Sequence, residues 1–336
     1  MKIAIDIMGG DHAPEEMIKG ALLALKDDPS LELLLVGGEK AFADFLPELP
    51  PRAEKRISAT VMAMDESVEN LRNKKDSSIY LATEAVADHE ADAVVSCGST
   101  AAQMAAAVLL LGRIKGVKRP ALVVPYPTLK GNKLMLDGGA NADVTSANLM
   151  DFAVLGNAYY RMISGVDRPE VVLLSNGTEA HKGSAVVRET HQLLSETDFL
   201  NFKGNIEGRD IIAGDYDVLV TDGFTGNVVV KVTEGVAMGL FRLIKEEITA
   251  TASRKVGAAL VKPGLKNIAK KFDYSTVGGM PLLGVGGISI VCHGSSNAEA
   301  VRNAVKGAVS FVEQDFIDVL ANDVARYREQ KKQSEV

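Results

Sequence analysis

Cysteine is scarce in this sequence, which argues against a disulfide-stabilised scaffold. Of 336 residues only Cys97 and Cys292 are cysteines, and both lie inside apolar runs. Since no segment of secretory type is apparent, we expect a reduced, cytoplasmic protein in which each thiol is a small buried side chain. A reactive thiol would need a base beside it. His293 follows Cys292, but neighbouring side chains of a strand point to opposite faces.

The usual nucleotide-binding fingerprints are also missing. No G-x-G-x-x-G follows the first predicted strand, and no G-K-[ST] occurs anywhere. No compact group of aspartates suggests a metal site, and we expect neither a metal nor a cofactor. A formal net charge of −7 disfavours a nucleic-acid binder.

Charge is absent from Ala93 to Gly112, a stretch long enough to span a membrane. Its interior argues against that interpretation, because Ser96, Gly98 and Gln103 fall where a strand should turn into a helix. The sequence therefore predicts a buried strand and a buried helix here, and no transmembrane helix.

What the sequence does contain is one arrangement repeated six times. An apolar run ends in a turn that combines glycine with Ser, Thr, Asn or Asp, and a helical pattern follows. The six are IAIDI before MGGDHAPEE, DAVVS before CGSTAAQ, LMLD before GGANADVTSAN, VVLLS before NGTEAHKGS, DVLV before TDGFTGN, and ISIV before CHGSSNAEA. Apolar runs separated by helices predict an α/β fold with largely parallel strands buried on both faces.

These turns should meet, because ligands of open parallel sheets bind outside the carboxyl ends of the strands. The last turn is the best defined: Gly294, Ser295 and Ser296 end a strand, and Ser296 with Glu299 forms a capping-box pattern for a helix starting near Asn297. A helix start of this kind favours an anion such as phosphate. The alternative is that Ser296 only caps the helix.

One of the turns also carries a cation and a titratable ring. Lys182 would be a mobile positive charge beside an otherwise neutral anion site, and His181 would be a proton carrier. Asn176 and Glu179, in the same loop, are equally explained as a helix cap.

A basic segment near the C-terminal third stands out against the acidic background. Residues 254–271 carry six basic and no acidic residues, and Pro263-Gly264 is predicted to break the helix into a hairpin. A basic amphipathic hairpin is typical of a membrane-surface element, and an ordinary solvated helix pair is the alternative.

Taken together, these motifs resemble a known family. IAIDIMGGDHAP, CGSTAA, LDGGAN, LSNGTEAHKG, VTDGFTGN, and PLLGVGG followed by HGSSN are similar, in this order from Met1 to about Tyr327, to bacterial phosphate acyltransferases. That resemblance implies transfer of an acyl group from acyl-acyl carrier protein to inorganic phosphate, giving acyl phosphate for phospholipid synthesis. It also implies a three-layer α/β/α fold akin to isocitrate and isopropylmalate dehydrogenases and to phosphotransacetylases.

The resemblance further implies a homodimer that attaches peripherally to an anionic membrane and passes acyl phosphate to a membrane glycerol-phosphate acyltransferase. We expect one α/β/α unit over residues 1–328, or two intertwined subdomains, with the basic hairpin at 252–273 and a disordered tail at 329–336. The hairpin lysines expected to contact membrane or carrier protein are Lys255, Lys262, Lys266 and Lys270.

The reaction needs phosphate held beside a thioester carbonyl, stabilisation of the oxyanion, and departure of a thiol. We expect Lys182 to offset the phosphate charge, His181 to donate a proton, and Asp222 and Asn227 to orient the reacting groups. The residues expected to line the phosphate pocket are Ser99, Thr100, Ser295, Ser296 and Asn297. The alternatives are a nicotinamide-dependent dehydrogenase on the same broad fold and a non-catalytic membrane-surface scaffold.

Overall fold

The computed structural model describes residues 1–271 and 278–334. The strands are β1 (Lys2–Asp6), β2 (Glu32–Gly37), β3 (Ala53–Ile57), β4 (Ala93–Ser96), β5 (Ala121–Leu122), β6 (Val124–Thr128), β7 (Gly131–Leu136), β8 (Glu170–Ser175), β9 (Asn201–Glu207), β10 (Val218–Val220), β11 (Gly279–Leu283) and β12 (Ile288–Cys292).

The α-helices are α1 (Glu15–Asp27), α2 (Glu39–Phe45), α3 (Ser78–Ala87), α4 (Thr100–Ala106), α5 (Ser146–Ser164), α6 (Ala185–Ser195), α7 (Gly223–Ile248), α8 (Ala252–Lys271), α9 (Ala298–Glu313) and α10 (Phe316–Ser334). Short 3₁₀ helices cover Val68–Arg72 and Gly208–Ala213, and one π-helical turn covers Ala107–Leu111.

The predicted α/β class with largely parallel strands is confirmed, and the strands are divided between two sheets. The first sheet has the order β3-β2-β1-β4-β12-β11-β5, and the second has the order β6-β7-β10-β8-β9. In each sheet the central pairs are parallel, and antiparallel pairs lie on one side only. The chain passes from the first sheet to the second at Val123, between β5 and β6, and returns to the first sheet between β10 and β11.

Burial explains why these runs form strands. Ile3, Val94 and Val171 are fully buried, as are most of their neighbours on β1, β4 and β8. Side chains buried on both faces of a sheet require the apolar runs that the sequence shows. One hydrophobic cluster contains residues of both sheets together with α5, α9 and α10, so the two sheets share a core.

The helix break predicted at Pro263-Gly264 is wrong, because α8 continues through Pro263. The carbonyl of Ala259, which Pro263 cannot pair with, lies on an exposed stretch where water can satisfy it. The turn of the hairpin lies instead between α7 and α8, at residues 249–251. Of the predicted hairpin 252–273, residues 272 and 273 lie outside the described residues.

The prediction of a disordered tail from Glu329 is wrong for residues 329–334, which extend α10. Leu320, Val324 and Tyr327 are buried and anchor this helix, and Arg328 forms an ion pair with the buried Asp151 of α5. An anchored helix can extend beyond its last buried residue at little cost. Residues 335 and 336 lie outside the described residues.

The two cysteines are buried, as predicted. A hydrogen bond with Cys97, together with burial, raises the pKa of the Cys292 thiol, which keeps it protonated. Within residues 1–271 and 278–334, no helix is both long and apolar enough to cross a bilayer.

Candidate functional site

Three of the predicted turns meet at the carboxyl edge of the first sheet. They follow the adjacent strands β1, β4 and β12, and we call residues 9–11, 97–99 and 293–296 the first-sheet turns. The Asp11 N–H donates to the Gly294 carbonyl at 2.8 Å. Gly10 has a φ of +105°, and a Cβ there would lie 3.0 Å from both Cys97 Cβ and the Gly294 carbonyl. Glycine thus lets the turn after β1 pack closely against both of the other turns.

A buried carboxylate holds these turns in place. Asp6, at the end of β1, accepts hydrogen bonds from the Met8 N–H at 3.1 Å and from Ser96 Oγ at 2.8 Å. Ser96 Oγ in turn accepts from the Gly98 N–H at 3.0 Å. Burial raises the pKa of the Asp6 carboxyl, and these donors offset part of that effect. These hydrogen bonds join the turn after β1 to the turn after β4.

The residues predicted to bind phosphate lie on these turns or directly after them. Ser99 is half-buried and caps α4 by accepting from the Ala102 N–H at 3.4 Å, and Thr100 is the first residue of that helix. Ser295 is exposed, whereas Ser296 is buried. The exposed hydroxyl of Ser295 is therefore better placed for a ligand than that of Ser296.

The capping box predicted for Ser296 and Glu299 is wrong. Asn297 caps α9, and its Oδ1 accepts from the Ala300 N–H at 2.9 Å. The Ser296 N–H donates to the His293 carbonyl at 3.0 Å, which closes a tight turn and directs the Ser296 side chain inward. Glu299 instead pairs with Arg302, at 3.0 Å.

The start of α9 already has an acidic partner. Glu16 of α1 accepts from the Ala298 N–H at 2.7 Å, and this hydrogen bond lowers the pKa of the Glu16 carboxyl. One of the N–H groups that the sequence offered to phosphate is thus satisfied within the protein. A ligand at this edge would rely on the turns rather than on the helix end alone.

The second sheet has a comparable edge, built around Asp137 at the end of β7. This carboxylate is completely buried. Its Oδ1 accepts from the N–H groups of Leu122, Gly139 and Ala140 at 3.0, 3.2 and 3.1 Å. Its Oδ2 accepts from the N–H and side-chain Nδ2 of Asn141 at 2.7 and 2.8 Å. Burial raises the pKa of the Asp137 carboxyl, against the effect of these donors.

Asp222 and Asn227 lie where α7 leaves this second edge. Both carboxylate oxygens of Asp222 bind Thr225, through its N–H at 2.7 Å and its hydroxyl at 2.8 Å, so Asp222 is the helix cap. Asn227 is exposed and lies against Gly139, where a Cβ would come within 3.3 Å of the Asn227 Cβ. Asn227 is therefore the more available of the two for a ligand.

His181 and Lys182 lie on the loop after β8, with local contacts. The Lys182 N–H donates to the Glu179 carbonyl at 3.0 Å, and Asn205 of β9 donates to the same carbonyl at 3.0 Å. The Lys182 side chain runs along Gly177, where a Cβ would come within 2.7 Å of its Cγ. His181 is exposed and Lys182 half-buried. This loop belongs to the carboxyl edge of the second sheet, two strands beyond β7.

Two residues that the sequence analysis did not select connect the two edges. Lys231 of α7 approaches His293 of the first-sheet turns, with Nζ 3.4 Å from Nε2. His293 Nδ1 lies 2.7 Å from Ser295 Oγ. Since Asn227 and Lys231 are four residues apart, they share one face of α7. That face runs from the Gly139 turn of the second sheet to the His293 turn of the first.

The structure therefore places Asn227 on the same helix face as Lys231, which reaches Ser295 only through His293. Ser99 and Thr100 lie at the end of the neighbouring strand, β4. The lysines predicted to meet membrane or carrier protein lie elsewhere, on α8. Lys255, Lys262 and Lys266 are exposed, and the side chain of Lys270 lies outside the described residues.

Comparison with solved structures identifies proteins of similar fold. A phosphotransacetylase from Streptococcus pyogenes is similar with a TM-score of 0.59 at 18% identity, covering 97% of this chain and 94% of that one. A Salmonella typhimurium structure described as a 4-hydroxythreonine-4-phosphate dehydrogenase is similar with a TM-score of 0.52 at 11% identity, covering 91% and 98%. These likenesses confirm the predicted relation to the phosphotransacetylase fold.

Comparison of sequences is more specific. Residues 1–319 match the family described as "Fatty acid synthesis protein". A phosphate acyltransferase from Desulfitobacterium hafniense is 51% identical over 331 residues, covering 97% of this chain and 98% of the relative. One from Heliobacterium modesticaldum is 46% identical over 329 residues, covering 96% and 98%. The chain therefore belongs to the phosphate acyltransferase family, as its motifs indicated, and it is an acyltransferase.

Proposed function

We propose that this acyltransferase takes its acyl group from the thioester of acyl-acyl carrier protein and transfers it to inorganic phosphate, giving acyl phosphate for phospholipid synthesis. The observation that carries the proposal is the meeting of the first-sheet turns, with the Asp11 N–H on the Gly294 carbonyl at 2.8 Å. Their backbone N–H and hydroxyl groups offer what a phosphate oxyanion needs.

The chemistry asks little of the protein beyond placement. Phosphate near neutral pH has a nucleophilic oxygen, and a thiol with a pKa of about 8.5 leaves readily, so no covalent intermediate is needed. Phosphate oxygen forms a bond to the thioester carbon, the carbon–sulfur bond breaks, and the thiolate takes a proton. Each donor placed against the oxyanion contributes roughly 3 kcal/mol.

Ser295, Ser99 and Thr100 are proposed to line the phosphate pocket, and Ser296 and Asn297 to support it. Lys182 and His181 are proposed to act on the thioester from the second edge, Lys182 by its charge and His181 by supplying the proton. Asn227 is proposed to orient the reacting groups. Asp222 is proposed to position α7, since both its oxygens bind Thr225.

The test is loss of the acyl-carrier thioester, and formation of acyl phosphate, with and without inorganic phosphate. The wild type should require phosphate, and Lys182→Ala and Ser295→Ala should lower kcat/KM at least about 100-fold. Lys40→Ala on the exposed face of α2 is the matched control. Phosphate-independent thioester loss, or wild-type rates in both variants, would refute the proposal.

We also propose that α8 lies on an anionic membrane surface. Val256, Leu260 and Ile268 are 69%, 82% and 48% exposed, beside the exposed Arg254 and lysines. Exposed apolar side chains flanked by basic ones are typical of interfacial helices, with about 1 kcal/mol for each basic residue near an anionic leaflet. An enzyme held at the membrane by α8 could pass its acyl phosphate directly to a membrane glycerol-phosphate acyltransferase.

Flotation with phosphatidylglycerol vesicles at low and high salt tests this role. Binding at low salt that is lost on replacing Lys255, Lys262 and Lys266 by glutamate supports the membrane. If the wild type does not bind these vesicles even at low salt, and the triple glutamate variant has a lower kcat/KM for acyl-acyl carrier protein, α8 contacts the carrier protein instead.

The exposed apolar stripe of α7 is proposed to be covered by a second copy of the chain. Phe224, Val232, Val236 and Leu243 are 67%, 58%, 63% and 63% exposed. A stripe of this size is unusual on a monomer. Light scattering should give a dimer mass for the wild type and a monomer mass for Val236→Asp, and a monomeric wild type would exclude the arrangement.

A further inference from the structure

The contact between α7 and the His293 turn gives the phosphate site a cation that the sequence did not identify. We propose that Lys231 supplies the positive charge that holds phosphate at Ser295, and that His293 positions both groups. The inference rests on the proposed function and names the subsite for one of its two substrates.

The charges near this turn show why a cation is needed. Asp11 lies beside Gly294, where a Cβ would come 3.5 Å from its carboxylate, and Glu16 occupies the Ala298 N–H. A phosphate dianion would be repelled by both carboxylates. Lys231 can offset that repulsion because its ammonium already contacts a residue of the turn, whereas the described contacts of Lys182 lie within its own loop.

The hydrogen bonds around His293 define the role of the ring. An ammonium can only donate, so Nε2 accepts from Lys231 at 3.4 Å. The proton of the neutral ring is then on Nδ1, from which it donates to Ser295 Oγ at 2.7 Å. The Ser295 N–H also approaches Nδ1, at 3.3 Å, but bonding there requires the other tautomer, which would turn an N–H toward the ammonium.

In this arrangement Ser295 keeps its own hydroxyl proton for a ligand. The hydroxyl accepts from His293, so its hydrogen can point to a phosphate oxygen. Lys231 is 54% exposed and is also held by Glu234 at 3.2 Å, which leaves one of its three ammonium hydrogens for a ligand. Since the contact with His293 is long, a charged oxygen can replace it at little cost.

The position of Lys231 also explains how one ligand site can use both sheets. Asn227, one turn earlier on the same face of α7, lies against Gly139 of the second sheet. Phosphate bound between Lys231 and Ser295 would therefore lie at one end of a helix face whose other end meets the second edge. His293 is a positioning residue in this scheme and does not itself touch the reacting atoms.

The experiment measures the KM for phosphate and the KM for acyl-acyl carrier protein separately. Lys231→Met should raise the KM for phosphate at least about tenfold with little change for the acyl donor, and Lys231→Arg should recover most of the loss. His293→Ala should raise the same constant, and His293→Asn, which keeps a donor for Ser295, should raise it less. Lys40→Met serves as the control for loss of a surface charge.

A second readout does not depend on catalysis. Inorganic phosphate should raise the thermal unfolding midpoint of the wild type more than sodium chloride of equal ionic strength, and Lys231→Met should abolish that difference. An unchanged KM for phosphate together with an unchanged thermal shift in Lys231→Met would overturn the assignment. If the wild type shows the shift but no phosphate-dependent thioester loss, the proposed function fails while the anion site stands.

Discussion

A single carboxylate, Asp137, organises the carboxyl edge of the second sheet. It accepts five hydrogen bonds while fully buried. In Asp137→Asn the new NH₂ group must face N–H donors, which leaves at least one buried donor without a partner. We expect the free energy of unfolding to fall by about 3 kcal/mol, measured by urea denaturation.

Asp143→Asn is the control, since Asp143 is exposed at the end of the same turn. A variant at position 137 as stable as this control would mean that the five bonds contribute nothing net. Burial raises the pKa of the Asp137 carboxyl, and a protonated carboxyl would carry a donor on one oxygen as the amide does. The difference should therefore be largest at a pH where Asp137 is ionised.

Gly177 permits a test of Lys182 that leaves the lysine in place. A Cβ at position 177 would lie 2.7 Å from Lys182 Cγ and 3.0 Å from Glu179 Oε2. Gly177→Ala must therefore shift the lysine side chain by a few tenths of an ångström or more. We expect roughly a tenfold loss of kcat/KM with a nearly unchanged unfolding midpoint.

The comparison for this variant is Gly208→Ala, where nothing lies within 4 Å of the added Cβ. If Gly177→Ala is as active as Gly208→Ala, the exact placement of Lys182 does not matter and its proposed role weakens.

Individual turn residues are predictable from the sequence, whereas the side chains that they contact from distant parts of the chain are not. Ser99, Thr100 and Ser295 were found because Gly-rich turns after apolar runs are local signals. Lys231 and His293 are 62 residues apart, and nothing in either local pattern indicates that they meet. Ser296 was assigned a cap because the capping-box pattern fits it, but the tight His293–Ser296 turn moves the cap to Asn297.

Among the elements, α1 and α9 approach closely at one glycine. A Cβ at Gly20 would lie 2.5 Å from the Ala298 carbonyl oxygen and 2.5 Å from Val301 Cβ. Alanine normally stabilises a helix interior by about 1 kcal/mol relative to glycine. Here we expect the reverse, a loss of about 1–3 kcal/mol, because the two helix backbones would have to separate.

Gly307→Ala in α9 is the matched control, with nothing within 4 Å of its added Cβ, and it should be stabilising. Thermal unfolding should show a lower midpoint for Gly20→Ala and a higher midpoint for Gly307→Ala than for the wild type. If Gly20→Ala and Gly307→Ala raised the unfolding midpoint equally, the close approach of α1 to α9 at Gly20 would carry no energetic cost when a methyl group is added.

The carboxylate of Glu16 joins the same two helices in a pH-dependent way. Its pKa is lowered chiefly by the Ala298 N–H. A lowered pKa means that the stabilisation is present above the ordinary value of about 4.3 and is lost as the pH falls through the folded-state value. With a side chain 28% exposed, the contribution is discounted to about 0.5 kcal/mol.

Glu16→Gln should therefore be less stable than the wild type at pH 7 and equal to it near pH 3, in urea titrations at both values. Glu15→Gln, which removes an exposed partner of Lys19, should show a smaller difference at pH 7. A difference for Glu16→Gln that persists unchanged at pH 3 would exclude the carboxylate as its source.

At the scale of elements, the sequence predicted strands and most helices because burial on both faces leaves a continuous apolar signal. The hairpin turn predicted at Pro263 is wrong because proline is tolerated within α8, whose exposed backbone can bond to water. The last turns of α10 are predicted to be disordered because the contacts that anchor them, made by Tyr327 and Arg328, are with elements distant in the sequence.

For the whole molecule, the sequence specified the α/β class but not the division into two sheets. Both sets of strands carry the same apolar pattern and the same turns, so their partners cannot be read locally. The division depends on where the chain crosses, at Val123 between β5 and β6 and again between β10 and β11, and on which strands then pair. Only the pairing of residues far apart in the chain decides this.

Because the two sheets share one hydrophobic core, we expect them to unfold together. Residues of both sheets belong to one buried cluster, and Phe152 of α5 lies within it with no exposed surface. Because neither sheet can expose its side of this cluster without the other, calorimetry should give one transition whose calorimetric and van't Hoff enthalpies agree. Phe152→Leu should lower that single midpoint by about 1–2 °C, for a loss of roughly 1 kcal/mol. Tyr80→Phe, in a separate cluster beside the first sheet, keeps the core volume and should leave the transition single and close to the wild-type midpoint. Two resolved transitions, with Phe152→Leu moving only one of them, would show that the sheets are independent folding units and that the cluster between them adds no cooperativity.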